Sequence, residues 1–396
     1  MTYFRHSALV AALFLASCQT TDLSGTRVDM DEVQQASVEA PLINRTEVVA
    51  VVSSNDSAIE LEQKAEQWGY SLIRKESLDG LGLFVMTFDC PPGVDPHVAS
   101  RELERLTPQA NVGANHLYRL QTSDLRSSFR PRTYANELIN WPEEGCPADV
   151  RIGMLDGYVD QTDMGLSEAS IVTRRFVPET EAGEMASDHG TAVAHLLAGP
   201  GRLNGATLYS AIVVGVDEEG EPFSGVSSML KALDWMVESD VDVINISLAG
   251  PYNRALDRGI QQAIDKQIVI VAAVGNDGEG SVPQFPAALD GVIGATAVDA
   301  NQIIYEKAVR GSHVDVAAPG VDVWVGDAQS GRYVTGTSIA APFVAALIAA
   351  NPDLINKSDI RGIEKRLETV VRDLGDEGPD PVYGLGLVNA MRVCAT

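Results

Sequence analysis

Apolar and polar positions divide the chain into three textures. Residues 8–17, ALVAALFLAS, form one unbroken apolar run behind Arg5 and His6. The run is too short to span a bilayer as a helix and has the length of a signal-peptide core. Residues 19–45 are polar, lack an apolar period and read as a tether. From 46 to 120 short segments follow one another. EVVAVVS (47–53), YSLIRKESL (70–78), GLFVMTFD (82–89) and NHLYRL (115–120) have the composition of strands. Residues 57–70 have helical spacing, with Ser57 as cap and Glu60 three residues on, and residues 95–106 form a second helix. The order βαββαβ predicts a small open-faced α+β sandwich. Residues 121–133, QTSDLRSSFRPRT, are polar and basic and predict an exposed, cleavable linker.

Beyond residue 134 the apolar runs become denser. DVRIGMLD (149–156), ATLYSAIVVG (206–215), VDVINIS (241–247), QIVIVAAVG (267–275) and GVIGATAV (291–298) alternate with helical segments at 190–198, 227–238, 252–265 and 337–350. Strands apolar on both faces, separated by helices, predict an α/β domain over 134–396 with a doubly wound, mainly parallel sheet. Functional residues in such sheets gather beyond the carboxyl ends of the strands. Asp156, the segment 247–251 and Asn276 lie at such ends.

Composition narrows the class. An apolar fraction of 45% in 396 residues supports a full core, and a net charge of −26 disfavours a phosphate backbone, so nucleic acid is not an expected partner. The apolar N-terminal run ends in Leu-Ala-Ser-Cys (15–18). That ending resembles the bacterial lipoprotein lipobox, in which the cysteine, here Cys18, carries lipid and becomes the mature N-terminus; the other reading is an ordinary cleaved secretory signal. Either way the chain is expected to be exported to the cell envelope, where disulfides are permitted. Cys146 and Cys394 stand near the two ends of the larger predicted domain, and domain ends are commonly close, so they are expected to pair. The cysteine spacing is unlike a zinc site.

Three stretches meet one chemical need. Asp156 closes a strand, His189 opens a helix in SDHGTAVAHLLAG, and Ser338 opens another in GTSIAAP. Singly they read as a turn carboxylate, a structural histidine and a helix cap. Jointly they supply a hydroxyl nucleophile, a base able to take its proton near neutral pH, and a carboxylate to orient that base. The chain order Asp, His, Ser is one of the known orders of such a triad.

On these residues the chain resembles the subtilisin-like serine proteases. GTSIAAP and HGTAVA resemble the family's serine and histidine motifs. AAVGNDG (272–278) resembles its oxyanion stretch, INISLAGP (244–251) its substrate-binding strand, and YGLGLVNA (383–390) its closing segment. The resemblance covers about 135–396 and implies a serine endopeptidase acting on proteins or peptides without a required cofactor. It gives Ser338 the role of nucleophile, His189 that of general base, Asp156 that of orienter and Asn276 that of oxyanion donor. Small neighbours fit this: Gly336 lets a peptide approach, and Ala340 and Ala341 let the helix pack closely. Ser247, Leu248, Ala249 and Gly250 would pair with substrate, while Val274, Gly275 and Gln284 would join Ala249 in shaping the pocket for the residue before the cleaved bond.

The resemblance also implies that residues 46–120 are a propeptide that assists folding, blocks the cleft and is removed by self-cleavage within 118–133. Departures are Gly157 and Tyr158 after the aspartate, and Ala192 and His195 in the histidine motif. No third ligand is suggested that would make a metal site with His189 and His195. Calcium is the family's usual structural ion, but runs such as 217–221 and 375–380 lack the spacing of a regular calcium loop, and no site is assignable. Two other functions compete: a catalytically silent binding module of the same fold, and a nucleotide-binding protein. The latter lacks a phosphate-binding glycine loop.

Overall fold

The computed structural model describes residues 28–38, 40–121, 133–163, 165–177, 187–216, 222–326 and 331–394. The signal-like segment with Cys18, residues 19–27 and 122–132, and the acidic run 217–221 lie outside the described residues.

A helix α1 (Met30–Val38) precedes the N-terminal lobe, which contains β1 (Glu47–Val52), α2 (Asn55–Gln67), β2 (Ser71–Leu78), β3 (Leu83–Asp89), α3 (Pro96–Leu106), β4 (Asn111–Ala114) and β5 (Leu117–Leu120). The first four strands form an antiparallel sheet in the order β2-β3-β1-β4. Every position of β1 after Glu47 is apolar because both faces of the strand are covered. Val48, Ala50 and Val52 pack on Leu61 and Ala65 of α2 and Leu103 of α3, while Val49 and Val51 join the core of the larger lobe. The sandwich expected to be open on one face is thus closed by the rest of the chain.

Local structure departs from the sequence expectations at three places. Ser54, not Ser57, caps α2: its Oγ accepts from the Ser57 amide at 3.1 Å. The strand expected over 115–120 is β5 alone, and it does not close the sheet. β4 completes the sheet, the chain turns out of it at Asn115 and His116, and β5 pairs elsewhere. The tether expected over 19–45 contains α1 and an isolated bridge between Leu42 and His116. A helix this short is marginal alone; here Val33 enters the shared core and the Ser37 carbonyl accepts from His116 Nε2 at 3.1 Å.

The larger lobe contains β6 (Arg151–Asp156), β7 (Ser170–Arg175), α4 (Ser187–Ala198), β8 (Thr207–Ile212), β9 (Pro222–Gly225), α5 (Val226–Glu238), β10 (Val243–Ile246), β11 (Leu248–Ala249), α6 (Arg254–Asp265), β12 (Val269–Ala273), β13 (Val292–Val298), β14 (Val316–Pro319), α7 (Thr337–Ala349), β15 (Val371–Arg372) and β16 (Leu387–Val388). Nine of these strands form one sheet in the order β15-β16-β14-β13-β12-β10-β6-β8-β7. Its pairings are parallel except β15 with β16. This is the doubly wound α/β sheet expected from the alternating runs. The exposed edge strand β7, with its run of polar residues, gave no such signal.

Helix α7 is buried along its whole length and packs against β10, β12, β13 and β14. That explains why its sequence has no polar face. Cys146 and Cys394 are disulfide-bonded with Cα atoms 5.1 Å apart, so the two ends of the larger lobe do meet. Cys90 is a buried free thiol; burial pushes its pKa up to about 12, which keeps it protonated. Among the described residues no helix is long and apolar enough to cross a membrane.

Candidate active site

The parallel sheet and two helix N-termini bring Asp156, His189 and Ser338 together. Asp156 is the last residue of β6 and has no exposed surface. Its Oδ1 accepts from the Gly157 amide at 2.6 Å and lies 2.8 Å from His189 Nδ1. Its Oδ2 is buried and has no partner among the described residues. His189 stands in the first turn of α4, and its Nε2 lies 2.9 Å from Ser338 Oγ. With the carboxylate on one ring nitrogen and the hydroxyl on the other, the neutral ring carries its proton on Nδ1 and offers Nε2 as acceptor.

Ser338 sits in the first turn of α7, where backbone N–H groups are unpaired and the helix dipole is positive. Four residues on, Pro342 has no N–H to offer the Ser338 carbonyl. That carbonyl accepts instead from Ser247 Oγ at 2.9 Å, and Ser247 Oγ accepts from Asn245 Nδ2 at 2.9 Å. Asn245, at no position singled out in the sequence, therefore ties β10 to the serine helix. Thr337 has a comparable role. Its amide and Oγ1 both donate to Asn276 Oδ1, at 3.1 and 3.0 Å, which turns the Asn276 amide so that Nδ2 is left over. Asn276 Nδ2 is buried and has no partner among the described residues.

The cleft holds part of the chain itself. β5 lies antiparallel between β9 and β11, with Leu117 opposite Gly225, Tyr118 opposite Ser224, Arg119 opposite Ala249 and Leu120 opposite Leu248. The Gln121 amide donates to the Ser247 carbonyl at 3.4 Å. The Gln121 carbonyl oxygen accepts from the Ser338 amide at 3.3 Å and is in short contact with Ser338 Oγ. Gly336 makes room for it: φ is +153°, and a Cβ there would collide with the Gln121 carbonyl oxygen and come within 3.2 Å of Asn276 Nδ2. The Ser338 amide thus reaches this carbonyl, while Asn276 Nδ2 makes no hydrogen bond to it. Gln121 lay within the segment expected to be a linker; no local signal marked it, because strand addition is decided by the partner strands.

The proposed pocket residues divide. Ser247, Leu248 and Ala249 lie alongside β5, and Gly250 faces the Tyr118 ring. Gln284 donates through Nε2 to Asp277 Oδ2 in a short contact and packs over Gly275. Ala249, Gln284, Asp277 and Gln121 line a cavity of about 330 Å3, which Val33 and Ala36 of α1 also border. Val274 does not help to shape it. Its side chain is wholly buried in the core, near Gly294 of β13, and is not among the residues lining the cavity.

His195 lies one turn beyond His189 but faces Asp163, with Nε2 2.9 Å from Oδ1. Among the described residues no group of three or more His, Cys, Asp or Glu side chains is gathered as a metal would require. Tyr158 is 44% exposed, so the departure after Asp156 alters a surface loop and leaves the carboxylate in place.

A buried Asp–His–Ser relay at the carboxyl end of a parallel sheet, with a peptide carbonyl lying against the serine, defines a hydrolase of the serine-nucleophile type. Residues 148–386, more than half of the chain, match the model of the subtilase family, and the chain belongs to that family, the subtilisin-like serine endopeptidases. It is 31% identical over 258 residues to subtilisin DY of Bacillus licheniformis, covering 61% of this chain and 89% of that protein. It is 30% identical over 259 residues to subtilisin E of Bacillus subtilis, covering 61% of this chain and 65% of that protein's length. In fold it is similar to fervidolysin from Fervidobacterium pennivorans, a keratinolytic enzyme, with a TM-score of 0.69 at 19% identity over 88% of this chain and 60% of that one. It is also similar to an epidermin leader peptide processing serine protease of Staphylococcus aureus, with a TM-score of 0.65 at 16% identity over 88% and 99%.

Proposed function

We propose that the chain is an exported, self-processing serine endopeptidase whose N-terminal lobe is its propeptide. The observation that carries this reading is the Gln121 carbonyl lying against both Ser338 Oγ and the Ser338 amide, with His189 Nε2 2.9 Å from the same Oγ. Ser338 Oγ attacks the peptide carbonyl carbon as its proton passes to His189 Nε2. Asp156 holds the ring and stabilises the imidazolium. The Ser338 amide and Asn276 Nδ2 receive the developing oxyanion. His189 then protonates the leaving amine, the C–N bond breaks, and water, deprotonated by His189, releases the acyl group from Ser338.

In this reading the first bond cut is Gln121–Thr122. Fold likeness over 88% of the chain, against 61% in the sequence alignments, supports the N-terminal lobe as a shared part of such enzymes. The lipobox at 15–18 makes Cys18 the anchor, on the propeptide side of the cut. A catalytically silent binding module is the second reading. A fluorophosphonate probe separates the two, because it labels only an activated serine. Expression of Ser338→Ala tests self-cleavage: the wild type yields a fragment ending in Gln121 and the variant stays uncut. The same fragment from the variant refutes the proposal.

A further inference from the structure

The chain in the cleft carries two side chains that are buried and read by hydrogen bonds, three residues apart. Tyr118 is fully buried, and its OH donates to the Pro251 carbonyl at 2.7 Å. Its ring lies on Gly250, where a Cβ would come within 2.6 Å of the ring carbon. Burial pushes the phenol upward, so it remains a donor across neutral pH. Gln121 is 6% exposed; its Oε1 accepts from the Asn276 amide at 2.8 Å and its Nε2 donates to the Arg119 carbonyl at 3.1 Å. Between them Arg119 is exposed and Leu120 is half-buried. Gly250, Pro251 and Asn276 all belong to the larger lobe, so the sites persist once the N-terminal lobe has left.

We infer that the enzyme selects proteins bearing Tyr-X-X-Gln in an extended segment and cuts after the glutamine. The inference rests on the reading that residues 117–121 occupy the cleft as a substrate does. Tyrosine is preferred over phenylalanine because a ring without the hydroxyl leaves the Pro251 carbonyl unpaired. Smaller residues leave the space over Gly250 unfilled. Glutamine is preferred over phenylalanine because a hydrocarbon leaves the Asn276 amide unpaired. It is preferred over glutamate because a carboxylate oxygen then faces the Arg119 carbonyl, in a pocket that already contains Asp277. Of these choices, glutamine over phenylalanine runs against a purely apolar pocket.

The test uses the purified full chain after it has processed itself, with fluorogenic peptides built on Tyr-Arg-Leu-Gln. Relative to the parent, Phe for Tyr is expected to lower kcat/KM about tenfold and Ala for Tyr about a hundredfold; Glu or Phe for Gln each lower it at least about tenfold. In the enzyme, Gly250→Ala is expected to collapse the Tyr-to-Ala preference at the first position. In the full chain, Tyr118→Ala and Gln121→Glu are expected to slow self-cleavage, a readout independent of the peptides. The specificity is overturned if all peptides are cut within threefold of one another, or if the phenylalanine peptide is cut faster than the glutamine one. It is also overturned if an enzyme that digests casein ignores the parent peptide. An enzyme that digests nothing and takes no fluorophosphonate label sinks the protease reading instead.

Discussion

Acidification will loosen the N-terminal lobe through His116. The ring is buried where α1, the N-terminal lobe and α6 meet. Its Nε2 donates to the Ser37 carbonyl at 3.1 Å and its Nδ1 accepts from Asn253 Nδ2 at 3.0 Å. Asn253 cannot turn to accept a proton on Nδ1. Its Oδ1 caps α6 by accepting from Ala255 and Leu256, and its Nδ2 also donates to the Ala114 carbonyl. His97, with its ring centroid 5.2 Å away, is the other titratable group in the cluster; burial lowers its pKa too, while Asp95 opposes that shift. Desolvation, with His97 adding to it, lowers the His116 pKa from 6.5 to about 4.

The folded state therefore prefers neutral His116. The stabilisation is complete above the ordinary value of 6.5 and declines as pH falls toward about 4. The shift corresponds to about 3 kcal/mol in full, and to about 2 kcal/mol between pH 7.5 and pH 5. The assay is urea unfolding of Ser338→Ala and of Ser338→Ala with His116→Gln, each at both pH values. The doubly substituted chain should lose about 2 kcal/mol less on acidification. A difference below about 0.5 kcal/mol, the ordinary error of such cycles, would refute the reasoning.

Three further outcomes are expected. Asn276→Leu removes the unpaired Nδ2 donor, and kcat on a peptide substrate should fall about a hundred- to a thousandfold with little change in KM. Cys394→Ser opens the bond to Cys146, which closes nearly the whole larger lobe, and should cost about 2–5 kcal/mol, read as a lower urea midpoint. In fractionated cells the wild-type N-terminal fragment should be found in the membrane and the larger fragment outside it, whereas uncut Ser338→Ala stays in the membrane; Cys18→Ser should remove both membrane signals.

Much of the candidate site was legible in the sequence because its residues stand in local motifs. Asp156 closes an apolar strand, His189 and Ser338 open apolar helices, and Asn276 follows a strand end. These positions are dictated by short-range rules: apolar runs make buried strands, and helix starts present unpaired N–H groups. Chain order then gave the three residues a common chemistry. The sequence also located most strands and helices of the larger lobe, since burial on both sides of a parallel sheet leaves dense Val and Ile runs.

Only the tertiary structure decided what each exposed or polar segment meets. Val274 reads as a pocket wall beside Gly275, yet its side chain is wholly buried in the core of the larger lobe. The polar run around Met30–Val38 becomes a helix because the larger lobe offers Val33 an apolar surface. Strand β5 carries no mark that tells it to leave its own sheet; β9 and β11 supply the free backbone groups that capture it. The same holds for Gln121, whose place against Ser338 depends on residues more than two hundred positions away. Local periodicity specifies which face of an element is apolar, whereas the contacts that cover that face are long-range and form only when the chain is folded.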